Sequence, residues 1–239
     1  MTISVSVNES RKPSCLPSMT AHDLRTPLSV IQGYAHLLEA DLPSDADSAL
    51  YEYVTAIKVH SALLEQMIDS LVAIDQARHG MLQITPTNCD LEPLLIRVIH
   101  DTCGLANEKG VVVRLESSPV SIRVSIDEHL FARALANIIC YEVQRIRARD
   151  HLVVDVKVTA HTVRVAVGLE KSIGLINELH PDFVMLNAEP ANDPLVQTGV
   201  DWGVIAAGYL VAAHGGRLEA WWSTRNNHVV AIYLPEVLA

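Results

Sequence analysis

His22 stands in the run Thr20-Ala21-His22-Asp23-Leu24-Arg25-Thr26-Pro27-Leu28, which gathers a ring nitrogen, a carboxylate, a guanidinium and a hydroxyl within five residues. Imidazole has an unperturbed pKa of about 6.5, so a neutral ring nitrogen is available as a nucleophile near neutral pH. The neighbouring carboxylate of Asp23 can hold the other ring nitrogen's proton and stabilise the cation that forms during attack. Thr26 lies four residues beyond His22 and so falls on the same face if the run is helical. The chemistry available is nucleophilic attack by one histidine.

The elements that must hold this run show in the hydrophobic period. From Ser18 to Ala40 the apolar positions Leu24, Leu28, Ile31, Ala35 and Leu38 alternate steps of four and three, a heptad seam. Pro27 lies inside it and is expected to kink the helix beside His22 by removing one amide donor. Asp41 to Asp47 breaks the pattern with proline and cap-type residues, and a second seam follows at Leu50, Val54, Ile57, Ser61, Leu64, Ile68 and Leu71. A two-helix hairpin cannot bury such a stripe alone. Dimerisation into a four-helix bundle is the economical solution, and packing of the hairpin on its own downstream domain is the other.

Beyond Gly80 the period changes. Leu82 to Thr85 reads as a short strand, and Asp90 caps a helix expected to reach about Glu108. Strands are expected at Val111–Leu115 and Ile122–Ser125, then a helix from Asp127 to about Arg147. The alternating runs Leu152–Val158 and Val163–Val167 suit an antiparallel pair. Glu170 to Thr198 reads as irregular, and a helix from Gly203 to Ala213, the turn at His214-Gly215-Gly216 and strands Arg217–Trp222 and Val229–Leu234 complete the chain. The fold class is α+β, a helical hairpin followed by helices layered on a mixed sheet. The domain boundaries expected are a flexible tail at 1–17, the hairpin at 18–79 and the layered domain at 80–239.

Composition narrows the function classes. With 239 residues, 49% hydrophobic and 19% charged, the chain is globular. A formal charge of -10 argues against nucleic acid or an anionic membrane as partner. No apolar run approaches the about 20 residues of a membrane span, and the first residues lack the apolar core of a secretion signal, so a cytoplasmic location is expected. The four cysteines form no Cys-x-x-Cys pair and the eleven histidines no His-x-x-x-His pair, so no metal site is expected.

The run Ala21 to Glu39 resembles the phospho-accepting helix of sensor histidine kinases, and hairpin followed by α/β layer resembles their dimerisation/phosphotransfer and ATP-binding domains. Leu135-Ala136-Asn137-Ile138-Ile139 resembles the family's Asn-bearing helix, Ala213 to Leu218 the turn after its second glycine box, and Ile232 to Pro235 its last strand. The resemblance implies that His22 accepts a phosphoryl group, with Asp23 as general base, Thr26 able to orient a water for dephosphorylating a receiver, and Arg25 available to the phosphoryl group.

The nucleotide residues depart from the pattern. Asn137 fills the first Asn position, whereas Tyr141 stands where the family holds Mg²⁺ with Asn, and Glu142 replaces a small Ala. No Asp-x-Gly-x-Gly box occurs, and Asp201 takes the middle position of Gly199-Val200-Asp201-Trp202-Gly203, where glycines would admit anionic phosphates. The combination is similar to bacterial histidine phosphotransferases built as degenerate histidine kinases, with Asn137, Tyr141, Asp201 and Gly203 as a vestigial site.

The expected function is therefore a histidine phosphotransferase or response-regulator phosphatase without ordinary ATP binding. Its expected partners are a receiver domain, a histidine kinase as donor and a second copy of the chain. The alternatives are a divergent kinase that uses ATP and Mg²⁺ with its sensor on another chain, the segment before His22 being too short to hold one, and a non-catalytic dimeric adaptor.

Overall fold

The computed structural model describes residues 16–42, 48–116, 121–159, 162–176, 183–187, 202–223 and 228–236. Two long helices come first, α1 (Leu16–Asp41) and α2 (Ser48–Arg78). Helix α1 starts inside the expected tail and runs through Pro27 as one element. The connection at 43–47, expected to be a turn, lies outside the described residues.

The two seams split in half. Ala21, Leu28 and Ala35 on α1, and Val54, Ser61 and Ile68 on α2, are buried at a spacing of seven. The other half, Leu24, Ile31 and Leu38 with Leu50, Ile57, Leu64 and Leu71, is at least 42% exposed. A helix in a hairpin turns one edge of its heptad stripe toward its neighbour; the other edge stays open until a further element covers it.

The layer consists of β1 (Thr87–Asp90), α3 (Leu91–Asp101), α4 (Cys103–Lys109), β2 (Val112–Glu116), β3 (Arg123–Ile126), α5 (Glu128–Arg145), β4 (His151–Thr159), β5 (Thr162–Leu169), α6 (Glu170–Ile176), β6 (Phe183–Asn187), α7 (Trp202–Ala213), β7 (Arg217–Ser223) and β8 (His228–Pro235). The main sheet has the order β2-β4-β5-β8-β7-β6, with β2 and β4 parallel and the other neighbours antiparallel. Strands β1 and β3 form a separate antiparallel pair.

Alternation in the strands sends Val154, Val156, Val163, Val165, Val230, Ile232 and Leu218 to the face covered by α5 and α7. On α5, Phe131, Leu135, Ile138 and Ile139 are fully buried there. Full burial of such side chains stabilises by roughly 1.5–3 kcal/mol each relative to exposure. Helix α7 is apolar all round because it is covered on several sides, by α2, α5 and β7. The opposite sheet face carries a smaller cluster in which Ile173 of α6 meets Val153, Ala166, Trp221 and Ala231.

Three expectations about elements change. Leu82 to Thr85 forms no strand; the strand is β1, two residues further on. The helix expected from Asp90 to Glu108 is two, because Thr102 turns its hydroxyl back to the carbonyls of Val98 and Ile99 and competes with the helical ladder. The region read as irregular holds α6 and β6, the latter at the sheet edge against β7. A short edge strand needs only the register its neighbour supplies, so its own residues carry little periodic signal.

The end of α7 is joined to the start of α5 by specific bonds. Asp127 caps α5 by accepting from Leu130 N at 3.1 Å, and accepts from Thr85 N at 3.0 Å through its other oxygen. Burial alone would raise this carboxyl, but the amides and His214 win and hold it below its ordinary value. The Asp127 amide donates to His214 Nε2 at 3.0 Å, which leaves Nδ1 to donate to Leu210 O at 2.7 Å. The following turn needs its glycines: Gly215 has φ of 71°, and a Cβ on Gly216 would stand 2.5 Å from the Tyr233 carbonyl.

Helix α2 packs on α7 and α4 of its own chain and brings Val59, Leu63, Ala73, Ile74 and Ala77 to the layer's core, whereas Leu24, Ile31, Leu38 and Ile57 remain exposed.

Candidate functional site

His22 lies on α1, one helical turn before Arg25 and Thr26. The side chains of His22 and Asp23 lie outside the described ones. Ala21 and Leu28, only 4% and 2% exposed, mark the inner side of α1, and Thr26 and Ser29 stand exposed. The Arg25 guanidinium is turned across the hairpin to Asp69 of α2, with Nη2 donating to Oδ1 at 2.5 Å. Arg133 of α5 donates to the backbone carbonyl of the same Asp69 at 2.8 Å. Burial pulls the Arg133 guanidinium below its ordinary value and Arg25 adds repulsion, whereas Asp69 works against both. Asp69 thus joins the helix that carries His22 to the layered domain.

One turn along α2, the hairpin takes hold of Asn137. Its Oδ1 accepts from Gln66 Nε2 at 2.6 Å, and its Nδ2 donates to Ser70 Oγ at 3.2 Å and to the Gly203 carbonyl at 3.1 Å. Ser70 in turn donates to the Gln66 carbonyl at 2.8 Å. The side chain is 4% exposed, so these bonds also meet the general requirement that a buried amide be paired. Arg78 near the end of α2 donates to the Tyr209 hydroxyl at 3.2 Å.

The two residues next to the expected metal position have turned to other partners. The Tyr141 ring lies under Arg145, 5.2 Å from the guanidinium carbon. Glu142 is fully buried, and its Oε2 stands 2.5 Å from His228 Nδ1 without meeting hydrogen-bond direction. Arg145 donates to the other ring nitrogen at 3.2 Å. Burial pushes the Glu142 carboxyl above its ordinary value, with His228 and Arg145 opposing.

Among the expected site residues the fold therefore places Asn137, Tyr141 and Gly203 around one junction of α2, α5 and α7, with Arg25 tied to it through Asp69. Asp201 lies outside the described residues. Gln66, Asp69 and Ser70 were not singled out in the sequence. Their signal is a polar i, i+3, i+4 stripe on a helix whose apolar residues already account for its other faces.

Known proteins are similar to the chain along both of its parts. Residues 18–80 match the His Kinase A (phospho-acceptor) domain. The sensor protein VanS of Enterococcus faecium is 27% identical over 208 residues, 84% of this chain and 51% of VanS. The sensor protein KdpD of Escherichia coli is 25% identical across 100% of this chain and 27% of its own length. The chain thus spans about half of VanS and about a quarter of KdpD. In fold it is similar to full-length ShkA in complex with AMPPNP, with a TM-score of 0.61 at 21% identity over 93% of this chain and 46% of that one. The Acinetobacter baumannii histidine kinase AdeS gives 0.56 at 15% identity over 90% and 97%. The histidine kinase ThkA in complex with the response regulator TrrA gives 0.53 at 16% identity over 92% and 60%. None of the described helices is long and apolar enough to cross a membrane. Helices α1 and α2 thus match a phospho-acceptor domain, and across the sheet domain the chain is similar to sensor histidine kinases of two-component signalling.

Proposed function

We propose that this chain is a phosphoryl relay, a histidine phosphotransferase or receiver phosphatase without ordinary ATP binding. The observation that carries this reading is the state of Asn137. Its amide is spent on Gln66, Ser70 and Gly203, while Tyr141 and Glu142 have partners of their own. A side chain with its donors and acceptor committed inside the protein has to break those bonds before it can serve a nucleotide.

In the proposed step, a neutral ring nitrogen of His22 attacks the phosphorus of an aspartyl phosphate on a receiver domain. The nitrogen–phosphorus bond forms as the bond to the aspartyl oxygen breaks, the carboxylate leaves with the electron pair, and the ring proton passes to Asp23. When the chain acts as a receiver phosphatase, Thr26 orients a water that attacks the receiver's aspartyl phosphate, the bond to the aspartyl oxygen breaks, and the carboxylate is regenerated as inorganic phosphate leaves. A receiver as partner is supported by ThkA, a protein of similar fold solved with a response regulator. The exposed half-seam supports a second copy as the partner that completes a four-helix bundle.

The test is transfer of label. Incubated with a phosphorylated receiver, the chain is expected to acquire an acid-labile label that His22→Ala lowers at least a hundredfold. With labelled ATP and Mg²⁺ alone no label is expected, and robust labelling of His22 by ATP without another kinase would overturn the reading. Asp69→Ala offers a second check. The Arg25–Asp69 pair has side chains 42% and 33% exposed, so its loss is expected to shift stability by no more than about 1 kcal/mol in urea titration. The rate of uptake by His22 should nevertheless change severalfold, since Arg25 is released one turn from it.

A further inference from the structure

Helix α2 does not lie flush on the layer. Between it and helices α4, α5 and α7 is a cavity of about 680 Å³, within the range of about 300–1,000 Å³ that small-molecule pockets occupy, often where domains meet. Leu63, Leu64 and Met67 line one side, with Leu105, Cys140 and Tyr141 opposite. Leu64 and Met67 remain 48% and 44% exposed.

The polar groups around this space are engaged with one another. Asn137 bonds to Gln66, Ser70 and the Gly203 carbonyl, and Ser70 also donates to the Gln66 carbonyl. At the rim, Lys109 Nζ donates to the Gln144 carbonyl at 2.5 Å, and His60 stands 3.5 Å from Glu108. A phosphate chain entering here would meet the Glu108 carboxylate at the rim, with Lys109 turned to the Gln144 carbonyl and the Asn137 amide already bonded inside the protein. Carbon, by contrast, meets carbon on both walls, and its removal from water is favourable without any new polar partner.

We propose that this cavity binds an uncharged, mainly apolar small molecule, which bridges the hairpin to the layer. The inference rests on the reading that the chain does not bind ATP in the ordinary way, and it adds what the remodelled site holds instead. A ligand touching α2 on one side and α4, α5 and α7 on the other stabilises the docked arrangement by mass action.

The experiment is a fluorescence titration of the whole chain with N-phenyl-1-naphthylamine, an uncharged apolar probe, beside a calorimetric titration with ATP and Mg²⁺. Saturable binding of one probe per chain is expected, together with a raised melting temperature. Cys140→Trp fills the cavity, and Met67→Arg puts a charge at its rim on a residue exposed enough to tolerate it. Each is expected to weaken probe binding at least tenfold. If the native chain shows no saturable binding, or if the correctly folded Met67→Arg protein binds as well as native, the inference falls while the relay reading stands. If ATP with Mg²⁺ binds and displaces the probe, the relay reading falls and the assignment of an uncharged ligand falls with it.

Discussion

A chain carrying both Ile31→Glu and Ile57→Glu is expected to sediment as a folded monomer at concentrations where the native chain is a dimer. Both residues belong to the open half of the seam and are 48% and 42% exposed in the single chain. Neither supports the hairpin's own contact, which rests on the alternate heptad positions Leu28, Ala35, Val54 and Ile68. Folding of one copy should therefore survive, with circular dichroism close to native. In a two-fold bundle each residue is buried twice. Since about half of each side chain is already covered, the lost burial comes to roughly 3–6 kcal/mol across the interface. That corresponds to about two to four orders of magnitude in dimer Kd, and desolvation of the new carboxylates adds to it. Sedimentation velocity across a concentration series checks this. An undiminished dimer would mean that the exposed half-seam is not what joins two copies.

The second large effect is expected inside the layer. His228→Leu removes the partner that stands 2.5 Å from Glu142 and leaves that carboxyl buried with only Arg145 opposing its desolvation. Breaking a buried pair by deleting one member costs about 3–5 kcal/mol, whereas replacing both members by apolar residues of similar volume is often close to neutral. The single variant should lose that much stability at neutral pH in urea titration, and adding Glu142→Met should recover most of it. The pH dependence follows from the raised Glu142 carboxyl. A group that binds its proton more tightly in the folded state lends stability that is complete below its unfolded pKa. That contribution is lost as pH rises through the folded value, so the native chain should lose stability over this window from acid toward neutral pH. Glu142→Gln should flatten the profile there, and His228→Leu should steepen it. Unchanged slopes in both would mean that the carboxyl is not the titrating group.

These two experiments touch parts of the molecule that differ in how far the sequence discloses them. The heptad seams were legible because a period of seven in apolar residues has one structural solution, paired helices. Which half of each seam turns inward was not, because both halves are equally apolar in sequence and the choice is made by the orientation of α1 against α2. The cap Asp90 was legible too, since a short acceptor side chain before an apolar run has a local geometry to satisfy, as was the start of a helix at Asp127. Edge strand β6 and the break at Thr102 were missed, because their conformation depends on a neighbouring strand and on a hydroxyl's choice of carbonyl.

The expectation placed on His22, Asp23, Arg25 and Thr26 was legible in the sequence by itself, as was the resemblance to histidine kinases, because these residue types and the helix period all lie within one turn or two of a single element. Departure of the nucleotide residues also shows there, in Tyr141, Glu142 and Asp201. What those residues do instead was decided by tertiary structure. Gln66 and Ser70 are 71 and 67 residues from Asn137 in the chain, and Glu142 of α5 meets His228, the first residue of β8, only in the folded chain. Hydrogen bonds and buried charges are short-ranged and depend on direction, so their partners are set by packing. No local pattern could have assigned the amide of Asn137 to the hairpin.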